Sequence, residues 1–144
     1  MMRHFPLGQH ELRIFAVEPV LFYVRFAGDL TAAQARSLVL LLGPELRSGG
    51  IRFLVDASAL GALGPDSRRE LMTGGAEPHP WPRLVADIIL VGASMLQKVV
   101  LAHIVSAASQ YQEFSGQTHF FESMDDALLW LEVPASLLAS AAAV

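Results

Sequence analysis

Apolar and polar positions alternate with a period of two along "ELRIFAV" and "VLFYVRFAG". In the second, Leu21, Tyr23 and Arg25 take one side and Phe22, Val24 and Phe26 the other. The alternation predicts two strands, about Glu11–Val17 and Val20–Gly28, with Glu18-Pro19 at the turn between them. The next stretch, "DLTAAQARSLVLLLGPELRSGG", changes to helix-favouring Ala, Gln and Leu. Thr31 is placed to cap this helix and Gly49-Gly50 to stop it, while Gly43-Pro44 is expected to kink or split it near Leu42.

Beyond it, "IRFLVDAS" is a continuous apolar run ending in polar residues, the pattern of a central parallel strand. "GPDSRRELM" opens a short helix, with Pro65 at the first helical position and Asp66 near the positive end of its dipole. "TGGAEPHPWPR" reads as a Gly/Pro loop and "LVADIILVG" as another buried strand. "SMLQKVVLAHIVSAASQYQEF" reads as a long helix capped by Ser94 and "QTHFFES" as a short strand. In the last helix, "SMDDALLWLEV", Ser123 and Asp126 have capping-box spacing. The order is β-β-α-β-α-β-α-β-α, which predicts an α/β fold: a single mixed, mostly parallel sheet with helices packed on it. Residues 1–10 are read as an N-terminal extension, 11–133 as one domain and 134–144 as an Ala-rich tail.

Composition sharpens this picture in three ways. The 144 residues suit one domain with one core. Apolar residues make up 53% and charged residues 17%, with mean hydropathy +0.43. That surplus points to apolar surface covered by a second subunit, a membrane face or an apolar ligand. A net charge of -4, with arginines scattered along the chain, excludes the electrostatic footprint of a nucleic-acid binder. With no cysteine there is no disulfide or thiolate chemistry. No signal-peptide pattern is visible, and Asp87, Lys98 and His103 interrupt the most apolar stretch, so no transmembrane segment is expected and a cytoplasmic location is.

The succession "FAGDLT" into the first helix, "IRFLVDAS" after it, the "PDS" helix start, "ILVGAS" into a long helix and the ending "FFESMDDALLWL" resembles the STAS superfamily, the domain of anti-sigma-factor antagonists and sulphate-transporter tails. The resemblance spans roughly Glu11 to Val133 and is nearest the small stand-alone bacterial branch, related in fold to CRAL-TRIO lipid carriers. It implies a non-enzymatic regulatory module that binds protein partners and in some members a nucleotide or lipid. It also implies a candidate phosphorylation site at Ser67, since phosphorylated members carry a serine at the corresponding helix start. Here Arg68-Arg69 follow where the family has a small residue and glycine.

The residues themselves leave several readings open. Ser67 is either a phosphoryl acceptor at an N–H-rich helix start or a solvated first-turn serine. Asp56 ends a strand where open α/β sheets bind ligands, yet it lacks the acidic pair and strand-end lysine of a phosphoryl-accepting receiver, so a turn-capping role fits it better. Ser94 follows Gly92 in "VGAS", but Leu96 replaces the second glycine of a nucleophile elbow and His103 lies too far along the helix, leaving a serine hydrolase as a remote alternative. The histidines have no metal-binding spacing, and neither metal nor cofactor is expected.

The candidate binding rim is therefore Asp56, Ser58, Asp66, Ser67, Arg68, Gly92 and Ser94, with His79 and Trp81 in a candidate partner loop. The leading expectation is a homodimeric interaction module working through its apolar helices. The alternative is a carrier of a small apolar or lipid-like ligand beneath the first and third helices, near Leu41 and Val100.

Overall fold

The computed structural model describes residues 2–15, 20–42, 50–73, 84–112 and 114–142. Its strands are β1 (Met2–Leu7), β2 (His10–Phe15), β3 (Val20–Leu30), β4 (Gly50–Leu63), β5 (Leu84–Val91), β6 (Phe114–Ser115) and β7 (Thr118–Phe121). Its helices are α1 (Ala32–Leu42), α2 (Pro65–Thr73), α3 (Met95–Gln112), α4 (Met124–Leu131) and α5 (Ala135–Ala142). One mixed sheet runs β1-β2-β3-β4-β5, with β6 and β7 both on the far side of β5. The β1–β2 and β2–β3 pairs are antiparallel; β3–β4, β4–β5, β5–β6 and β5–β7 are parallel. The α/β class is as expected from the pattern.

The element order has three additions. Residues 2–7, read as part of an extension, form β1 and pair with all of β2. Phe114–Ser115 forms a short strand where the helix was expected to end. The Ala-rich tail forms α5 and packs through Leu137 and Leu138. The Glu18-Pro19 turn, the Gly43-Pro44 break and the Gly/Pro loop with His79 and Trp81 lie outside the described residues.

Strand alternation divides the core between the two faces of the sheet. One face carries Leu12, Ile14, Phe22, Val24, Phe26, Ala57 and Leu90 beneath α1 and α3, which contribute Ala35, Leu38, Leu101 and Ile104. The other carries Phe15, Leu21, Tyr23, Leu54, Ile89 and Val91 against Ala127, Leu128 and Leu131 of α4. In β4–β5, where both faces are covered, the sequence reads as continuous apolar runs. The helix starts are set by side chains. Thr31 Oγ1 accepts the Gln34 N–H and Gln34 Oε1 accepts the Thr31 N–H. Ser94 and Gln97 exchange the same two bonds at α3, and Ser123 Oγ accepts the Asp126 N–H at α4.

Candidate functional site

The C-terminal ends of β3, β4 and β5 meet the starts of α2 and α3; Asp66, Ser67, Arg68, Gly92 and Ser94 lie there, while Asp56 and Ser58 lie within β4, level with the end of β5. The expected end of β4 at Asp56–Ser58 is corrected: the strand runs on to Leu63. Asp56 Oδ1 accepts both the Ser58 N–H (3.0 Å) and the Ser58 hydroxyl (2.6 Å), a local turn. Beside it the register against β3 slips between Arg25 and Ala27. The strand resumes because Asp29 Oδ1 accepts the Ala62 N–H at 2.7 Å and Gly61 lies directly on the Gly28–Asp29 backbone. Asp56 thus has the turn-capping role its sequence position suggested, within a strand rather than at its tip.

Gly92 leaves β5 at φ +74, and a Cβ there would meet the Ser58 Cβ at 2.8 Å. Both the backbone angle and the space demand glycine. Ser58 and Gly92 therefore close the gap between the β4 turn and the end of β5. Ser94 is the α3 cap described above, and Gln97 Nε2 also donates to Leu60 O at 3.0 Å, tying α3 to the extended β4. His103 is nine residues along α3, about 13 Å up its axis, so Ser94 and His103 are not brought together.

Ser67 departs from the solvated reading. It is only 4% exposed, and its hydroxyl donates to Leu30 O at 2.7 Å, fastening α2 to the end of β3. A phosphoryl group on this oxygen would require the first turn of α2 to lift away. Asp66 is exposed and pairs with Arg69 at 2.9 Å, a surface pair of small energetic weight. Among the described residues the Arg68 side chain has no such partner.

A neighbouring network joins the β1–β2 turn, β2, β3 and α1. His10 Nδ1 accepts the Ala27 N–H at 2.9 Å, which leaves the hydrogen of the neutral ring on Nε2, facing Asp29 O and Gln34 Oε1. Gln9 bonds both Asp29 O and the Gln34 side chain. Every acceptor in this network is occupied from within. No family model matches the sequence, and no curated protein does.

Most polar side chains of the rim are engaged within the fold, Arg68 apart, and exposed apolar side chains stand beside them. Met95, Leu96 and Val99, on the first two turns of α3, are among the most exposed large apolar residues, Met95 at 79%. Sequence periodicity could not find them, because an exposed apolar helix position carries the same letters as a buried one. Leu38 and Val39 of α1 are buried and Leu40 is exposed, so α1 too is only partly absorbed by the core. Val100 packs against the core; the Leu41 side chain lies outside the description. Among the described residues no three His, Asp or Glu converge as metal ligands, and no helix is long and apolar enough to cross a membrane.

Proposed function

We propose that the chain is a non-enzymatic, STAS-like interaction module with a regulatory role, and that the first turns of α3 are the surface by which it holds a protein partner. The observation that carries this is the exposure of Met95, Leu96 and Val99 on a helix start anchored by side-chain hydrogen bonds. The Ser94–Gln97 box and the Gln97–Leu60 bond fix α3 in place, so three apolar side chains stand in water pre-organised. Such a cluster is the anatomy of an interface centre. The start of α2, with Asp66 and Arg69 exposed beside it, supplies a polar rim.

The first partner is a second copy. The outward positions of α3 include Met95, Val99, Ala102 and Ser106, spaced four, three and four residues apart as in a coiled-coil seam. The seam is large at its start and small at its end. An antiparallel twofold contact sets Met95 and Val99 of one copy against Ser106 and Ala102 of the other. Lys98 is the only formally charged residue in α3, so like charges do not oppose the contact.

Sedimentation velocity of the wild type and Leu96→Asp tests the reading. A concentration-dependent dimer is expected for the wild type and a monomer with unchanged melting temperature for the variant. A wild type that stays monomeric at high concentration removes the second copy as partner.

A further inference from the structure

Charge is divided unevenly along the chain. Residues 1–98 hold all ten lysines and arginines with nine carboxylates, whereas residues 99–144 hold no lysine or arginine and five carboxylates. Four of those five, Glu122, Asp125, Asp126 and Glu132, lie on α4 or at its ends, and all four are exposed. The buried side of α4 is Ala127, Leu128 and Leu131. Its outer side carries Asp125 and Asp126 and, one turn later, Leu129 (79% exposed) and Trp130 (47%). The Trp130 ring leans on β7, 4.3 Å from the His119 ring and 6.0 Å from that of Phe121.

β7 is a sheet edge. Ile88 N–H donates to Gln117 O and Gly92 N–H to Phe121 O, so the odd-numbered residues turn their backbone groups toward β5. By the alternation of a ladder, Thr118 and Phe120 turn theirs outward. Among the described residues no strand pairs with that side. An open row of donors and acceptors therefore runs beside an aromatic and aliphatic ledge bordered by carboxylates.

We propose that the β7 edge and the Leu129–Trp130 ledge dock a basic, extended segment of a partner protein, which adds to β7 as a strand. Backbone bonds to Thr118 and Phe120 would hold the segment, its apolar side chains would rest on Trp130, and its arginines or lysines would meet the α4 carboxylates. The charge selects this occupant. An isologous contact with a second copy would set Asp125, Asp126 and Glu132 against themselves, and an anionic lipid surface or a nucleic acid would be repelled. This surface is separate from the α3 seam, and either reading can fail alone.

The test uses Trp81→Phe protein, so that Trp130 is the sole tryptophan and is excited selectively over the tyrosines. It is titrated with an acetylated, amidated eight-residue peptide alternating arginine and valine. A saturable blue shift is expected. Binding should weaken by about tenfold or more for the glutamate–valine counterpart, for an arginine–valine peptide N-methylated at alternate amides, and for the Asp125→Asn/Asp126→Asn protein. Equal affinity for the N-methylated peptide overturns strand addition. Equal affinity of the Asn variant, or no shift at millimolar peptide, overturns the docking surface. Self-association that Leu129→Ser abolishes gives the ledge to a second copy and also overturns the proposal.

Discussion

Phe22 and Tyr23 are neighbours in β3 and look to opposite faces of the sheet, and the two faces are held by different forces. Around Phe22 the contacts are apolar: its ring stacks on Phe53 at 5.1 Å, and the core there reaches from β1 to α3. Around Tyr23 charges thread the apolar patch. Glu11, Arg25 and Asp56 stand in register across β2, β3 and β4, and Glu11 bridges Arg13 (2.8 Å) and Arg25 (3.1 Å). The helices above are fastened partly by arginines: Arg52 donates to Leu131 O at the end of α4, and the buried Arg13 to Leu138 O in α5. At Leu131, the last residue of α4, a cation suits the helix dipole. The first face is a continuous apolar core. The second is a thinner layer, pinned at points, and it carries the exposed ledge of α4.

The comparison breaks most readily in the cores. Phe22→Ala should cost about 3–5 kcal/mol and lower protection from hydrogen exchange throughout the sheet. Leu128→Ala should cost about 2–4 kcal/mol, with the loss of protection concentrated in α4 and α5. Equal and global effects on exchange would show the two layers to be one cooperative unit.

At the rim between the faces, Gly92→Ala should destabilise by about 1–3 kcal/mol, from positive φ and the collision with Ser58. Ser67→Ala should cost about 1–3 kcal/mol by leaving Leu30 O without its donor. Urea denaturation measures both, and a neutral Ser67→Ala would return that serine to the solvated reading.

The smallest effect is electrostatic. Burial, and then the Asp56 carboxylate, push the Tyr23 hydroxyl above its ordinary value. A raised folded-state value means that the folded protein keeps this proton better than the unfolded chain. Its contribution is therefore whole below about pH 10 and is lost as pH rises through the folded value. In a Tyr111→Phe background, Asp56→Asn should bring tyrosinate absorbance in at lower pH. An unchanged titration curve would show that the carboxylate does not act on this hydroxyl.

Much of the fold was legible because periodicity, caps and glycines act locally. The Thr31, Ser94 and Ser123 caps, the Asp56 turn and the buried runs of β4 and β5 all follow from neighbours in sequence. What escaped depends on distant partners. β4 continues past Ser58 because it pairs again with β3 and because Asp29, some thirty residues earlier, receives Ala62 N–H. Ser67 is buried only because Leu30 O waits above it. Residues 2–7 form a strand only because β2 lies alongside. The candidate rim was named from fold position, and most of its side chains proved to be occupied in holding the fold. The exposed Met95–Val99 and Leu129–Trp130 surfaces could not be told from core by their letters.

Because the chain has no cysteine, single-cysteine variants test the α3 contact directly. In the antiparallel seam residue 95 of one copy meets residue 106 of the other, while the two copies of residue 95 lie about 16 Å apart. Under mild oxidation, Met95→Cys mixed with Ser106→Cys should form a disulfide-linked dimer, and neither variant should do so alone. A mixture that stays uncrosslinked, or Met95→Cys that links to itself as fast as the mixture, would contradict the account.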